Sequence, residues 1–266
     1  MRSTAKKAVF FDIDGTLWDR YNVIPESTIE GIRALRAAGN YAFICTGRTR
    51  SFVQHPKLHA VGFDGVLAGC GTHIEYQGEL LYYHKIDRSL AIDTLHTFRK
   101  YDFFPILEGK DYIYFNEEEN GFGETPYGQK LIRELGDRLR RVDVFLEEGE
   151  VSKFSCGMKD GGDPECFEKL SPHFHPLVHN PEVVEFVPNG HSKATGIQKI
   201  CEYLGVDLAD TYAFGDSVND LEMLRVVGTG IAMGNGTEDA KEMADYITSD
   251  IYEDGIYNGL KHFELI

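Results

Sequence analysis

Short apolar runs alternate with segments of helical periodicity along the N-terminal part of this chain. Residues 8–11 and residues 41–45 have the length and the continuous hydrophobicity of buried strands. Residues 25–38 lie between them and carry apolar side chains on one helical face. Strands and helices that alternate in this way predict a parallel sheet covered by helices on both faces.

The same alternation returns in the C-terminal part of the chain, after a hairpin closes the first stretch. The predicted elements are a hairpin over residues 72–83 that turns at Gln77 and Gly78, strands over residues 212–214 and 231–233, helices over residues 193–204 and 237–244, and a helix containing Leu221. This second stretch supplies the other half of the same sheet. The predicted core is therefore a Rossmann-like, doubly wound α/β domain.

The middle of the chain follows a different pattern. The predicted elements there are helices over residues 88–101 and 127–138, paired strands around Lys110 and Asp111, and strands over residues 151–158 and 183–187. Strands that occur in pairs between helices favour a mostly antiparallel α+β unit. We therefore predict a discontinuous core of residues 1–83 and 188–266, with residues 84–187 inserted as a second domain.

The composition and net charge of the chain limit the kinds of molecule that it is expected to bind. The 266 residues include 27 Lys and Arg against 43 Asp and Glu, which gives a net charge of −16. Such a surface disfavours nucleic acid and anionic membranes as partners. The N-terminal sequence lacks the apolar region of a secretory signal, and the five cysteines contain no C-x-x-C pair. We expect a cytoplasmic monomer or weak homodimer whose cysteines are reduced and mostly packed.

Candidate chemistry lies at the ends of three predicted strands. Asp12 and Asp14 follow the first strand, Thr46 follows the second, and Asp216 and Asp220 follow the strand at residues 212–214. A single Asp after a strand is usually a turn former or a helix cap. Three such strand ends are a stronger signal, because the carboxyl ends of parallel strands form the ligand-binding edge of the sheet.

The residue types at these strand ends indicate phosphoryl transfer. Four carboxylates at one edge repel each other unless a cation lies among them, and oxygen ligands without His or Cys favour Mg²⁺. Thr46, the amides after it and a lysine at a helix start can donate to phosphate oxygens. One carboxylate can act as a nucleophile, and another two residues on can act as a general acid and base.

These residues also resemble known motifs. The run Asp-Ile-Asp-Gly-Thr-Leu at residues 12–17 is similar to the first motif of the haloacid dehalogenase (HAD) superfamily of phosphatases. Thr46 and Lys193 match its second and third motifs, and the Gly-Asp-Ser-Val-Asn-Asp run at residues 215–220 matches the fourth. The form of the fourth motif and the length of the insert resemble the Cof-type subgroup, which carries a large cap domain (class IIB). One departure is the loop at residues 69–72, which we expect near the core–cap junction.

The resemblance implies a role for each matching residue. Asp12 would be the nucleophile and a metal ligand, Asp14 the general acid and base with its carbonyl on Mg²⁺, and Asp216 the remaining metal ligand. The residues that would hold the phosphoryl group are Thr46, Lys193, Asn219 and the amides of Ile13 and Gly47. Asp220 would orient Lys193 or a metal-bound water.

Several residues outside these roles leave alternatives open. Arg48 could contact the substrate or form a salt bridge that closes the cap, and Trp18 could pack between core and cap or stack on the substrate. His173, His175 and His179 invite a metal site, but their alternation is more typical of a strand with one polar face.

The function that the sequence favours is a Mg²⁺-dependent phosphatase acting on a small phosphorylated metabolite. A sugar phosphate and a cofactor phosphate are both open as substrates, since the cap would select between them. The alternatives are a phosphomutase with the same nucleophile and a non-catalytic sensor that binds a phosphorylated metabolite. The sensor is disfavoured because binding alone does not require Asp14.

Overall fold

A computed structural model describes residues 6–116, 124 and 126–266 of the chain. The strands are β1 (Ala8–Phe11), β2 (Tyr41–Cys45), β3 (Gly65–Ala68), β4 (His73–Tyr76), β5 (Glu79–Tyr83), β6 (Phe104–Glu108), β7 (Ile113–Tyr114), β8 (Leu139–Arg140), β9 (Lys153–Gly157), β10 (Phe174–Asn180), β11 (Val183–Pro188), β12 (Thr211–Gly215), β13 (Thr229–Ala232) and β14 (Tyr246–Ile247). The helices are α1 (Glu26–Ala37), α2 (Pro56–Val61), α3 (Arg88–Lys100), α4 (Pro126–Leu135), α5 (Val142–Glu148), α6 (Pro164–Leu170), α7 (Lys193–Leu204), α8 (Leu221–Val226), α9 (Glu238–Met243) and α10 (Gly255–His262).

The chain divides into two units. The first comprises the residues up to Gly47, residues 54–82 and residues 191–266, and the second comprises residues 48–53 and 83–190. The second unit therefore contains a short segment, Arg48–Val53, that lies far from the rest of that unit in the sequence.

An eight-stranded sheet forms the first unit, in the order β14-β13-β12-β1-β2-β3-β4-β5. The pairs from β14 to β3 are parallel, and β3 pairs with β4 in the antiparallel direction. Strand β1 lies at the point where the strand order reverses, which is where doubly wound sheets bind their ligands. The predicted α/β core is thus confirmed. The predicted turn at Gln77 and Gly78 is confirmed as well, with positive φ at both residues.

Aromatic residues of the central strands build the core of the first unit. All four residues of β1 are buried, because helices cover both faces of the sheet. Phe10 stacks on Phe43 with ring centroids 5.4 Å apart, and Phe11 stacks on Phe214 at 5.2 Å. Each buried Phe contributes about 1.5–3 kcal/mol of hydrophobic free energy. This packing fixes the relative positions of β1, β2 and β12, the strands that are followed by the candidate site residues.

A six-stranded, mostly antiparallel sheet forms the second unit, in the order β10-β11-β9-β6-β7-β8. Helices α3, α5 and α6 pack against it through a cluster that includes Phe98, Phe154 and Phe186. The α+β class predicted for the middle of the chain is confirmed. The predicted strand at the alternating histidines is present: β10 contains His175 and His179, and His173 directly precedes it.

Two further observations bear on the sequence predictions. The five cysteines are all buried as thiols, as expected from their spacing. In the described part of the chain, none of the helices combines the length and the apolar character needed to cross a bilayer.

Candidate active site

Three strand ends of the first unit meet at one edge of its sheet. The amide of Asp12, directly after β1, donates to the carbonyl of Phe214 in β12 at 3.0 Å. The amide of Thr46, directly after β2, donates to the carbonyl of Leu67 in β3 at 2.9 Å. Asp216 follows β12 at the same edge. Neighbouring parallel strands thus bring together side chains that are widely separated in sequence.

The loop after β1 is a compact turn. The carbonyl of Ile13 accepts hydrogen bonds from the amides of Leu17 and Trp18 at 3.0 and 3.1 Å. The carboxylate of Asp14 is exposed, and its Oδ1 accepts the indole N–H of Trp18 at 3.0 Å. Trp18 is itself buried and meets His55 edge-on, with ring centroids 5.2 Å apart. The buried indole therefore orients an exposed carboxylate, a contact that sequence reasoning did not find.

Lys193 is the charged centre of the site. It is the first residue of α7, whose start is fixed by a capping box between Ser192 and Thr195. Its side chain is 1% exposed, and Nζ lies 2.6 Å from Oδ1 of Asp12 and 2.6 Å from Oδ1 of Asp220. Burial opposes the charge, but the two carboxylates outweigh it and raise the pKa of Lys193 well above its ordinary value.

Asp220 is fully buried, and both of its oxygens accept hydrogen bonds. Oδ1 accepts from Lys193, while Oδ2 accepts from the amides of Asp216 and Ser217 at 2.9 and 3.0 Å. This carboxylate therefore holds Lys193 and the turn after β12 in fixed positions. Orienting Lys193, one of the two roles that the family resemblance implies for Asp220, would use this contact.

Three carboxylates are crowded at this edge. One oxygen from each of Asp12, Asp216 and Asp220 lies within 4.8 Å of the others. Burial raises the pKa of Asp216 to about 7, with a further contribution from Asp220, although a hydrogen bond from Thr16 at 2.8 Å opposes the shift. Burial also raises the pKa of Asp12 well above its ordinary value, and Lys193 only partly opposes it. The negative charge of the three carboxylates is therefore not balanced by Lys193 alone.

This cluster fits a magnesium ion. Its donors are oxygens, which is the ligand type that Mg²⁺ prefers. With one lysine among three carboxylates, the site would repel a phosphate unless a cation were bound. Asp220 already accepts four hydrogen bonds, from Lys193, from the amides of Asp216 and Ser217 and from the Ser217 hydroxyl, so Asp12 and Asp216 are the better side-chain ligands.

Of the other predicted phosphate-binding residues, Thr46 and Asn219 follow strands of the first unit, whereas Arg48 does not belong to that unit. Thr46 is buried, and its carbonyl accepts from the amide of Cys70 at 3.1 Å, so the loop at residues 69–72 supports the second motif. Oδ1 of Asn219 accepts from the hydroxyl of Ser217 at 2.7 Å. Arg48 belongs to the second unit, where its guanidinium lies 5.9 Å from the ring centroid of Phe52.

Sequence reasoning assigned no role to Asn235, which also supports the site. Its Nδ2 donates to the carbonyl of Gly15 at 2.7 Å, and its Oδ1 accepts from the amide of Ile251 at 2.9 Å. Asn235 therefore ties the loop after β1 to the segment that precedes α10. Asn235 lies in the Ala-Met-Gly-Asn run at residues 232–235, which begins at the last residue of β13.

Comparison with known proteins places the chain in a family. A family model described as haloacid dehalogenase-like hydrolase matches residues 9–260, so the chain belongs to this family. It is 33% identical over 264 residues to YkrA of Bacillus subtilis (strain 168), and the match covers 98% of each chain. It is 31% identical over 237 residues to the HMP-PP phosphatase of Shigella flexneri, covering 86% of this chain and 84% of the relative.

A solved structure extends the similarity to the whole fold. The structure of a HAD subclass IIB sugar phosphatase has a TM-score of 0.82 and 28% identity, covering 98% of this chain and 100% of that one. The haloacid dehalogenase family and the Cof-type subgroup, which the sequence motifs suggested, are thereby confirmed. The enzyme class is confirmed too: the protein is a phosphatase, a phosphoric monoester hydrolase.

Proposed function

We propose that this phosphatase hydrolyses a small phosphorylated metabolite in a Mg²⁺-dependent reaction that passes through a phosphate ester of Asp12. The position of Lys193 carries the proposal. Its buried ammonium bridges Asp12 and Asp220 at the sheet edge where Asp216 also lies. A buried lysine in this position holds the Asp12 carboxylate in place where little water can reach it. Its positive charge can also stabilise a phosphoryl oxygen.

Asp12 and Asp14 would divide the chemistry between them. A carboxylate oxygen of Asp12 bonds to phosphorus as the ester P–O bond breaks, and Asp14 gives its proton to the departing oxygen. Asp14 then takes a proton from water, whose oxygen attacks phosphorus and releases inorganic phosphate and the Asp12 carboxylate. Exposure of Asp14 suits this role, since a leaving group and a water must both reach it.

Mg²⁺ would be held by the side chains of Asp12 and Asp216 and by the carbonyl of Asp14. When bound, it supplies positive charge that neutralises the phosphoryl oxygens. Thr46, Asn219, Lys193 and the amides of Ile13 and Gly47 are proposed to hold those oxygens. Asp220 is proposed to act through Lys193, which it contacts at 2.6 Å.

The inserted domain, residues 84–187, is proposed to select the leaving group. All of the proposed chemistry lies outside it, so it is free to vary with the substrate. One relative is named for HMP-PP and a structural neighbour is a sugar phosphatase, which supports a small metabolite of either the cofactor or the sugar type. We further propose that the enzyme works in the cytoplasm as a monomer or weak homodimer, with neither nucleic acid nor membrane as a partner.

The test compares Asp12→Asn with Asp87→Asn. The amide in Asp12→Asn is a poor nucleophile and a poor metal ligand, so we expect turnover to be abolished. Asp87 is the N-cap of α3, and Asn caps helices as well as Asp does, so this control should keep wild-type activity. The measurement is Mg²⁺-dependent release of inorganic phosphate from p-nitrophenyl phosphate and then from a panel of phosphorylated metabolites.

Two results would contradict the proposal. If folded Asp12→Asn kept more than a few per cent of the wild-type rate, Asp12 would not be the nucleophile. Transfer of the phosphoryl group within a metabolite, without release of inorganic phosphate, would instead identify a phosphomutase.

A further inference from the structure

The segment Arg48–Val53 follows the second motif directly but belongs to the second unit. The chain passes from the first unit into the second between Gly47 and Arg48, and it returns to the first unit at Gln54. Gly47, whose amide is proposed to bind phosphate, is therefore one peptide bond away from a segment that the second unit holds. The contacts that anchor this segment therefore help to fix the position of the Gly47 peptide.

Buried polar contacts anchor the segment. The hydroxyl of Thr49 donates to Oε2 of Glu108 at 3.0 Å, and the hydroxyl of Ser51 donates to the carbonyl of Gly109 at 2.9 Å. The guanidinium of Arg138 donates to the carbonyl of Ser51. Thr49 is 1% exposed and Ser51 is fully buried, so water does not compete for these hydrogen bonds.

Phe52 adds an apolar contact to the same anchor. It packs against a buried cluster of the second unit that consists of Ile106, Ile113, Phe115, Leu131 and Leu135. Polar and apolar contacts thus hold both ends of the segment within the second unit.

Glu108 needs the hydroxyl of Thr49. Its side chain is buried with Lys153, but Nζ of Lys153 lies closer to Glu185, at 2.8 Å, than to Glu108, at 3.4 Å. The two carboxylate oxygens of Glu108 also accept hydrogen bonds from hydroxyl groups: Oε2 accepts from Thr49, and Oε1 accepts from Ser155. Hydrogen bonds to an ionised carboxylate are stronger than those between neutral groups, so Glu108 holds Thr49 firmly.

The buried charge of Glu108 can serve to fix one arrangement of the chain. Buried ion pairs can often be replaced by apolar residues without loss of stability, and in some proteins they select a single arrangement. We propose that Glu108 is a positioning residue: through Thr49 it fixes the segment that begins directly after Gly47, and thereby sets how tightly this enzyme binds its phosphate ester. The inference rests on the phosphatase function proposed above.

Thr49→Val and Ser155→Ala form a matched pair for the test. Each removes one hydroxyl donor from the same carboxylate, but only Thr49→Val removes a contact of the segment. We expect Thr49→Val to raise KM about tenfold with little change in kcat, because small displacements of binding groups have large effects. Ser155→Ala should leave KM within about twofold, and Thr49→Ser, which retains the hydroxyl, should restore the wild-type KM.

Hydrogen exchange gives a readout that does not depend on activity. Amides of residues 49–53 should exchange at least about tenfold faster in Thr49→Val than in wild type, and at the wild-type rate in Ser155→Ala. Thr49→Ala, measured in parallel, provides a second variant should Thr49→Val not fold.

The outcomes separate the two proposals. If wild-type protein releases no phosphate from any ester, the proposed function fails, and the exchange rates alone decide whether Glu108 anchors the segment. Equal KM changes in Thr49→Val and Ser155→Ala, or wild-type exchange of residues 49–53 in Thr49→Val, would overturn the positioning role.

Discussion

Gly15 shows how closely the first and fourth motifs approach each other. Its φ is +83°, and a Cβ at this position would lie 2.4 Å from Oδ2 of Asp216. A side chain would therefore strain the backbone and displace a proposed metal ligand. The sequence motif predicts the sharp turn at Gly15, but the contact with Asp216 comes from the pairing of β1 with β12.

Gly78 offers a control for this position, because it has the same φ of +83° and no atom lies within 4 Å of its hypothetical Cβ. Gly15→Ala and Gly78→Ala should both lower the free energy of unfolding, each by about 1–2 kcal/mol for the backbone conformation alone. Only Gly15→Ala should lower kcat/KM, by about a hundredfold. Chemical denaturation and phosphate release measure the two effects, and equal kcat/KM values would show that the contact with Asp216 is unimportant.

Sequence motifs identify the reacting side chains of the candidate site better than the residues that hold them. Thr16, Trp18 and Asn235 each donate a hydrogen bond to a motif residue. None of these contacts follows from residue type, because each depends on how the loops fold around the strand ends. The motifs therefore identify the residues proposed to react, whereas the contacts that hold these residues in place are found only in the structure.

At the scale of elements, continuous apolar runs and capped helices were predicted well. Strands β1 and β2 and helix α7 have the predicted bounds, because burial on both faces and a strong N-cap leave clear patterns. Helices α2, α5, α6 and α10 were missed. They have six to eight residues, so the periodic pattern in each is weak. In α6, the pair Asp163 and Pro164 was a usable signal, as N-cap and first helical residue.

Strands β9 and β11 carry a buried ion pair that the strand pattern did not predict. Lys153 is 1% exposed and lies 2.8 Å from Glu185, and His179 lies 3.4 Å from the same carboxylate. Burial by itself raises the pKa of Glu185, but Lys153 and His179 outweigh it and lower the pKa from 4.5 to about 2. An alternating pattern predicts which strand residues share a face, but not which charges meet there.

This pairing predicts a pH-dependent contribution to stability. Because the folded-state pKa of Glu185 is depressed, the contribution is fully present above pH 4.5 and is lost as the pH falls towards 2. The difference in free energy of unfolding between wild type and Glu185→Gln should therefore be largest near pH 6 and should shrink towards pH 3. Urea denaturation at several pH values measures this. Glu147→Gln, at an exposed position, is the control, and a constant difference for Glu185→Gln would contradict the prediction.

At the scale of the whole molecule, the protein must attract an anion although its net charge is −16. Lys193 cannot do this alone among three carboxylates, so the proposed site depends on a bound cation. Exhaustive chelation should abolish phosphate release, Mg²⁺ should restore it, and excess Ca²⁺ should inhibit it. Ca²⁺ takes more ligands at longer distances, so it would disturb the alignment of the attacking Asp12 oxygen with the ester P–O bond that breaks.

The metal prediction has a second measurement. A ligand that binds only the folded protein raises the melting temperature, so Mg²⁺ should raise it in wild type more than in Asp216→Asn. Full activity after chelation, or equal shifts in the two proteins, would leave the carboxylate cluster without its proposed ion.

The proposed roles, chemistry in the first unit and selection of the leaving group by the insert, predict the result of deleting the insert. Joining residues 83 and 188 through a short Gly-rich linker should leave a fold that binds Mg²⁺, because the proposed ligands Asp12 and Asp216 lie outside the deleted part. Selectivity among phosphate esters should fall by about one to two orders of magnitude as contacts with the leaving group are lost. Absolute rates should fall as well, because a cap excludes water and orders the leaving group.

The segment Arg48–Val53 complicates this deletion in a way that can be controlled. Without residues 84–187, Thr49 loses Glu108 and Phe52 loses its apolar cluster, so an apolar side chain would be exposed. A second deletion variant with Phe52→Ser should therefore be more soluble, and circular dichroism must show a folded core before any rate is interpreted. A soluble, folded core that still discriminates between two metabolites as wild type does would place specificity in the loops of the first unit.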